Sequence, residues 1–144
     1  MLLKLNIEKE KCFCDNFIKE NVKSRMFCEL KNPKKRNFAI DKFCHKIDNI
    51  INPSTILLKD SKLQKNDLLK EIYKISSSKT GYIISDKNDL DGVELPIETA
   101  VEEFLNLYFG AVIIVDERTA VLKNEPSYKS STNKYILHIK TQSP

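Results

Sequence analysis

Apolar residues recur at two different periods along this chain, and the change from one to the other divides it in half. From Lys11 to Leu30, Phe13, Phe17, Val22, Met26 and Leu30 form an imperfect stripe with no Gly or Pro between them, which predicts a helix. "KNPKKR" restarts the chain, with Asn32 as a good cap and Pro33 as a good first helical residue. Ile40, Phe43, Cys44, Ile47 and Ile51 follow at helical spacing, and "NPS" from Asn52 ends that second helix. A third helix is expected over Asp67–Ile75, with Leu68, Leu69, Ile72 and Tyr73 facing inward.

The other period is two. "LKLNI" at the start alternates and reads as a short strand, "TILL" reads as extended, and "YIIS" from Tyr82 is rich in β-formers. "AVIIV", Ala111–Val115, is apolar at every position, which predicts a central strand covered on both faces. It continues through "DERT" into "AVLK" as a hairpin, and "KYILHIK" puts Tyr135, Leu137 and Ile139 on one face. Among these strands a helix is expected from Pro96 to Phe109, with Ile97, Val101, Phe104, Leu105 and Tyr108 inward and Gly110 as a left-handed terminator. The fold expected is α+β. A helical N-terminal half of about three helices packs on a small C-terminal mixed or antiparallel sheet with one further helix, as a single domain over 1–144.

Composition then narrows the function. A chain of 144 residues, 41% hydrophobic, is long enough to bury a core without staples. The apolar run at the start is too short for a secretory signal, and no run approaches the ~20 residues of a membrane span. A cytoplasmic protein without membrane contact is therefore expected. Cys12, Cys14, Cys28 and Cys44 do not make a zinc motif, since Cys12 and Cys14 diverge by roughly 200° on a helix. The calcium-like stretch "DKNDLDGVELPIE" carries Lys87 where the loop needs its first carboxylate, and Pro96 inside it. It reads as a strand-to-helix connection with Asp91-Gly92 as its turn. No catalytic motif is present around His45 or His138, so no cofactor, metal or catalytic residue is expected.

Charge is where the chain is unusual. The net charge is only +4, yet Lys31 to Lys46 holds six cations and one acid, and Asp86 to Phe104 holds seven acids and one cation. Lys34, Lys35 and Arg36 are expected in the first turn of their helix, where the macrodipole favours anions, so their clustering makes an anion receptor. The expected partner-binding residues are Lys34, Lys35, Arg36 and Lys42 on the basic side, and Asp86, Asp89, Asp91 and Glu94 on the acidic side. Reversing Lys34, Lys35 and Arg36 to Glu is expected to leave folding intact and weaken partner binding.

"NPKKR" followed by the helix bearing His45, then "YIISDKNDLDGVELPIETAVEEF", resembles a pattern in small uncharacterised bacterial proteins. The resemblance implies a cytoplasmic immunity partner of a secreted toxin, a protein-binding role without catalytic residues. Two alternatives follow from the residues alone. One is a nucleic-acid or phosphate-ligand binder using the basic stretch 31–46. The other, less favoured, is a metal-free hydrolase using the acids of the Asp86–Glu94 loop.

Overall fold

The computed structural model describes residues 5–125 and 132–140. In chain order these form α1 (Ile7–Phe17), α2 (Lys23–Lys31), α3 (Arg36–His45), the single turn α4 (Ile47–Ile50) and a 3-10 turn at Pro53–Thr55. Then come β1 (Ile56–Asp60), α5 (Lys65–Ile75), β2 (Thr80–Ser85), β3 (Glu94–Pro96), α6 (Ile97–Asn106), β4 (Ala111–Asp116), β5 (Thr119–Lys123) and β6 (Lys134–His138). The strands make one sheet in the order β1-β6-β5-β4-β2-β3, with every neighbouring pair antiparallel. The architecture is α+β, with helices mostly in the N-terminal half.

Strand residues alternate between two cores because successive side chains leave opposite faces. Tyr82, Ile84, Val112, Ile114, Leu122, Tyr135 and Leu137 meet Phe13, Phe17, Met26, Leu30, Ile40 and Phe43 from α1, α2 and α3. Ile83, Ile113, Val115, Val121 and Ile136 meet Leu68 and Ile72 of α5 and Ile97, Val101 and Phe104 of α6. Helices cover both faces of the central strands, which is why β4 is apolar at consecutive positions in an antiparallel sheet. On the first face Phe13 anchors the layer, with ring centroids 5.5 Å from Phe17 and 5.8 Å from Phe43.

Several expected elements change. Leu3 lies outside the described residues, and Ile7 opens a helix instead of ending a strand. Asn6 Oδ1 accepts from the Lys9 amide at 3.1 Å and caps it. The helix expected over Lys11–Leu30 breaks after Phe17, because the chain there pairs with a distant segment. Ile18 bridges Ile51, the Lys19 amide donates to Ile50 O at 2.8 Å, and the Asn52 amide donates to Phe17 O at 2.8 Å. α6 stops at Asn106, three residues short, so Tyr108 points outward, as does Tyr73 on α5. The glycine with positive φ is Gly92, at 79°, in the Asp91-Gly92 turn; Gly110 is not left-handed. Gly110 is required for another reason. A Cβ there would lie 2.8 Å from Cys44 Cα and 2.9 Å from Lys123 O.

Candidate interaction surface

Arg36 opens α3 and turns inward. It is 6% exposed, and its five N–H groups all have acceptors. Nε and Nη2 donate to Asp91 Oδ2 and Oδ1 at 2.7 and 2.9 Å, and Nη1 and Nη2 donate to Glu10 Oε1 and Oε2 at 2.6 and 2.8 Å. The remaining Nη1 hydrogen goes to Leu30 O at 2.9 Å. Glu10 is 0% exposed, and it also accepts from Tyr82 Oη–H at 2.6 Å. Tyr82 Oη in turn accepts from the Asn6 amide at 3.0 Å, and Asp91 Oδ1 from the Ser85 amide at 3.2 Å. Burial opposes the charge on Arg36, but its hydrogen bonds to Asp91 and Glu10 outweigh that and hold its pKa above the ordinary value. Burial, with Glu10 as neighbour, raises the Tyr82 phenol. One guanidinium thus joins α1, α3 and the loop between β2 and β3.

This corrects two of the expected partner-binding residues. Arg36 and Asp91 are not surface charges, because Arg36 is saturated by Asp91, Glu10 and Leu30 O, and Asp91 is held by Arg36 and the Ser85 amide. Two more are engaged by neighbours. Lys42 Nζ donates to Glu29 Oε1 at 2.9 Å, and Glu94 accepts from Lys9 Nζ at 2.5 Å and Thr80 Oγ1 at 2.7 Å, which lowers its pKa. Lys34, Lys35, Asp86 and Asp89 are exposed. Sequence separates them into a basic region and an acidic one, but the Arg36–Asp91 pair brings those regions together. Exposed charges of both signs thus lie on the two segments that this buried pair ties together, with Lys87 near Asp89 at 3.9 Å.

The residues missed from sequence lie where α3 ends. Tyr108 is 67% exposed and Phe109 42%, and their rings stand edge to face with centroids 5.8 Å apart. Gly110 follows and packs against Cys44, whose carbonyl accepts from the Glu125 amide at 2.9 Å. His45 Nε2 lies 3.2 Å from Glu125 Oε2 and 3.5 Å from Asp41 Oδ1. Phe38, exposed, shares the outer side of α3 with Asp41 and His45. The available signal was the "YFG" tripeptide past the last turn of a helix, but reading it required knowing that the helix stops at Asn106.

The other reactive groups do not assemble. Burial raises the thiols of Cys14 to about 12 and Cys44 to about 11, and raises Cys12 as well, so none is poised as a thiolate. Among the described residues no three His, Cys, Asp or Glu side chains are grouped to hold a metal ion. His138 Nδ1 lies 3.1 Å from Thr119 Oγ1. A cleft of about 420 Å³ beside α1 is lined by Asn6, Cys12, Ser78, Asp116 and Glu117. Ser76 Oγ donates to Asp116 Oδ2 at 2.5 Å next to it. No histidine lines that cleft to act as a base. No helix among the described residues is long and apolar enough to cross a membrane. No protein-family model matches the chain significantly, and neither does a curated protein or a solved structure.

Proposed function

We propose that the chain is a protein-binding module, and that its role is of the immunity type: it holds a cognate protein toxin by direct contact in the cytoplasm. The observation that carries this reading is the buried Arg36–Asp91 pair, which ties the segment of exposed Lys34 and Lys35 to the loop of exposed Asp86 and Asp89. Exposed charges of both signs select a partner by its charge pattern and speed encounter. A support whose hydrogen bonds are already made leaves little to order on binding. A generic polyanion binder gains nothing from exposed Asp86 and Asp89 on a loop tied to its basic segment, because they repel phosphate.

Surface plasmon resonance tests the reading against the product of the gene adjacent to this one, with a single-stranded oligonucleotide as the second analyte. The expected result is nanomolar binding of one protein and none of the oligonucleotide. Oligonucleotide binding that weakens steeply with salt, alike for unrelated sequences, would replace this reading with nucleic-acid binding.

A further inference from the structure

We infer that Lys123 is a latch on the loop from α6 to β4: residues 107–110 open locally, releasing the Lys123 ammonium to water and uncovering Cys44. Where the lysine sits carries this. Lys123 ends β5, and its buried Nζ donates to the carbonyl of Leu107, the C-cap of α6. A helix C-terminus favours a cation, and α6 has none in its own last turn. The Phe104 ring adds a face 5.4 Å from Nζ. One carbonyl and one ring do not replace the water around an ammonium with three donors, so the buried position is costly to a charged Lys123. The cover over it is slight. α6 stops at Asn106 and β4 begins at Ala111, and Tyr108 and Phe109 between them already face solvent. Opening gives up the burial of Leu107 and the packing of Gly110 on Cys44, where a Cβ would lie 3.0 Å from Sγ. A short segment with few buried side chains opens before the core does.

The groups around Lys123 do not neutralise it. Its partner across β5 and β6 is another cation, Lys134, whose Nζ donates to Ser61 O at 3.1 Å. On its other side β4 offers Ala111, which carries no charge. On α6, Glu102 is drawn to Lys65 at 3.7 Å, and past β5 Glu125 is drawn to His45 at 3.2 Å. Among the described residues neither Glu103 nor any other carboxylate forms an ion pair with Lys123. From α3 comes the Cys44 thiol, raised to about 11 by burial and therefore neutral. Burial first and Lys134 second lower the Lys123 pKa to about 8, whereas a released lysine regains its ordinary 10.5. The open state therefore binds more protons between those values, and opening becomes less favourable as pH rises through them. Across the whole range the opening equilibrium falls about 300-fold.

Alkylation of the cysteines by iodoacetamide, mapped by mass spectrometry at pH 7 and pH 10 in wild type and K123M, decides the matter. Comparing the two proteins at each pH cancels the chemistry of the thiol itself. Cys44 is expected to react faster than Cys14, which is buried on α1. The wild-type rate at Cys44, divided by that of K123M, is expected to fall at least about tenfold from pH 7 to pH 10. K123Q, which keeps a donor for Leu107 O without the charge, replaces K123M if the latter leaves Cys14 unprotected. Loss of Cys14 protection in both variants would make Lys123 a requirement of the whole fold and overturn the latch. Equal labelling of Cys44 and Cys14 in wild type would mean that exposure needs global unfolding, which overturns it too. So does a ratio of wild type to variant that stays constant with pH.

Discussion

Replacing Arg36 by Met tests the buried ion cluster, because Met keeps the stem and removes all five donors. Two carboxylates then face each other near Leu30 O without a cation. One of them, Glu10, is fully buried. Each guanidinium–carboxylate attraction is on the order of 4 kcal/mol at an effective dielectric of about 20. Much of that offsets desolvation, so the net loss on removing one partner of a buried pair is about 3–5 kcal/mol. Set against a total stability of about 5–15 kcal/mol, this is a large share. Lys at 36 should recover little, since an ammonium cannot serve both carboxylates as a bidentate fork.

Urea melts by circular dichroism measure the loss, and a double-mutant cycle with E10Q assigns it. E10Q/R36M should be less destabilised than the sum of its parts by at least about 1 kcal/mol, because the glutamine no longer carries the stranded charge. Reversing Lys34 and Lys35 to Glu in the same assay should change stability by no more than about 0.5 kcal/mol, as both are exposed. An R36M loss below about 1 kcal/mol with an unchanged slope, or an additive cycle, would refute the reasoning. Either outcome would mean that Arg36 is free to serve a partner after all.

Two further outcomes follow from the second core. Phe104→Ala empties a fully buried site between α6 and β4 and should cost about 3–5 kcal/mol in denaturant melts. Lys123 is 4% exposed, and its pKa is lowered to about 8, by burial first and by Lys134 second. The unfolded chain keeps that proton up to the ordinary value of 10.5, so it binds more protons between those limits. Stability should therefore rise with pH from about 8 to 10.5, by about 3 kcal/mol in total. Melts of wild type against K123M across that range check the sign, since only the wild type should carry this contribution.

Much of the fold was legible because burial leaves a local pattern. The consecutive apolar residues of β4 announce two covered faces, and Leu68, Leu69 and Ile72 announce the inner side of α5. The break after Phe17 was not legible, since its cause is pairing of Phe17–Lys19 with Ile50–Asn52, more than thirty residues on. Helical phase extended past Asn106 points Tyr108 inward, but the helix has already stopped there.

The ion cluster is the more instructive miss, because part of its signal was local. "KKR" reads as one run of surface charge, yet Arg36 precedes Ala39, Ile40 and Phe43 by three, four and seven residues. That spacing puts it at the head of the buried stripe of α3. Glu10 stands in the same relation to Phe13, Cys14 and Phe17 on α1. A charge on an apolar stripe must find a partner or lose its charge, because burying it alone costs too much. Two stripes headed by opposite charges are therefore each other's natural solution when their helices cover the same sheet face. Asp91 gives no such sign, as it sits in a loop with no period to place it. Its recruitment leaves the cluster one negative charge in excess, balanced in hydrogen bonds by Tyr82 Oη–H and the Ser85 amide. The stripe rule points to Arg36 and Glu10; only the fold brings Asp91 to them, and with it the acidic loop to the basic one.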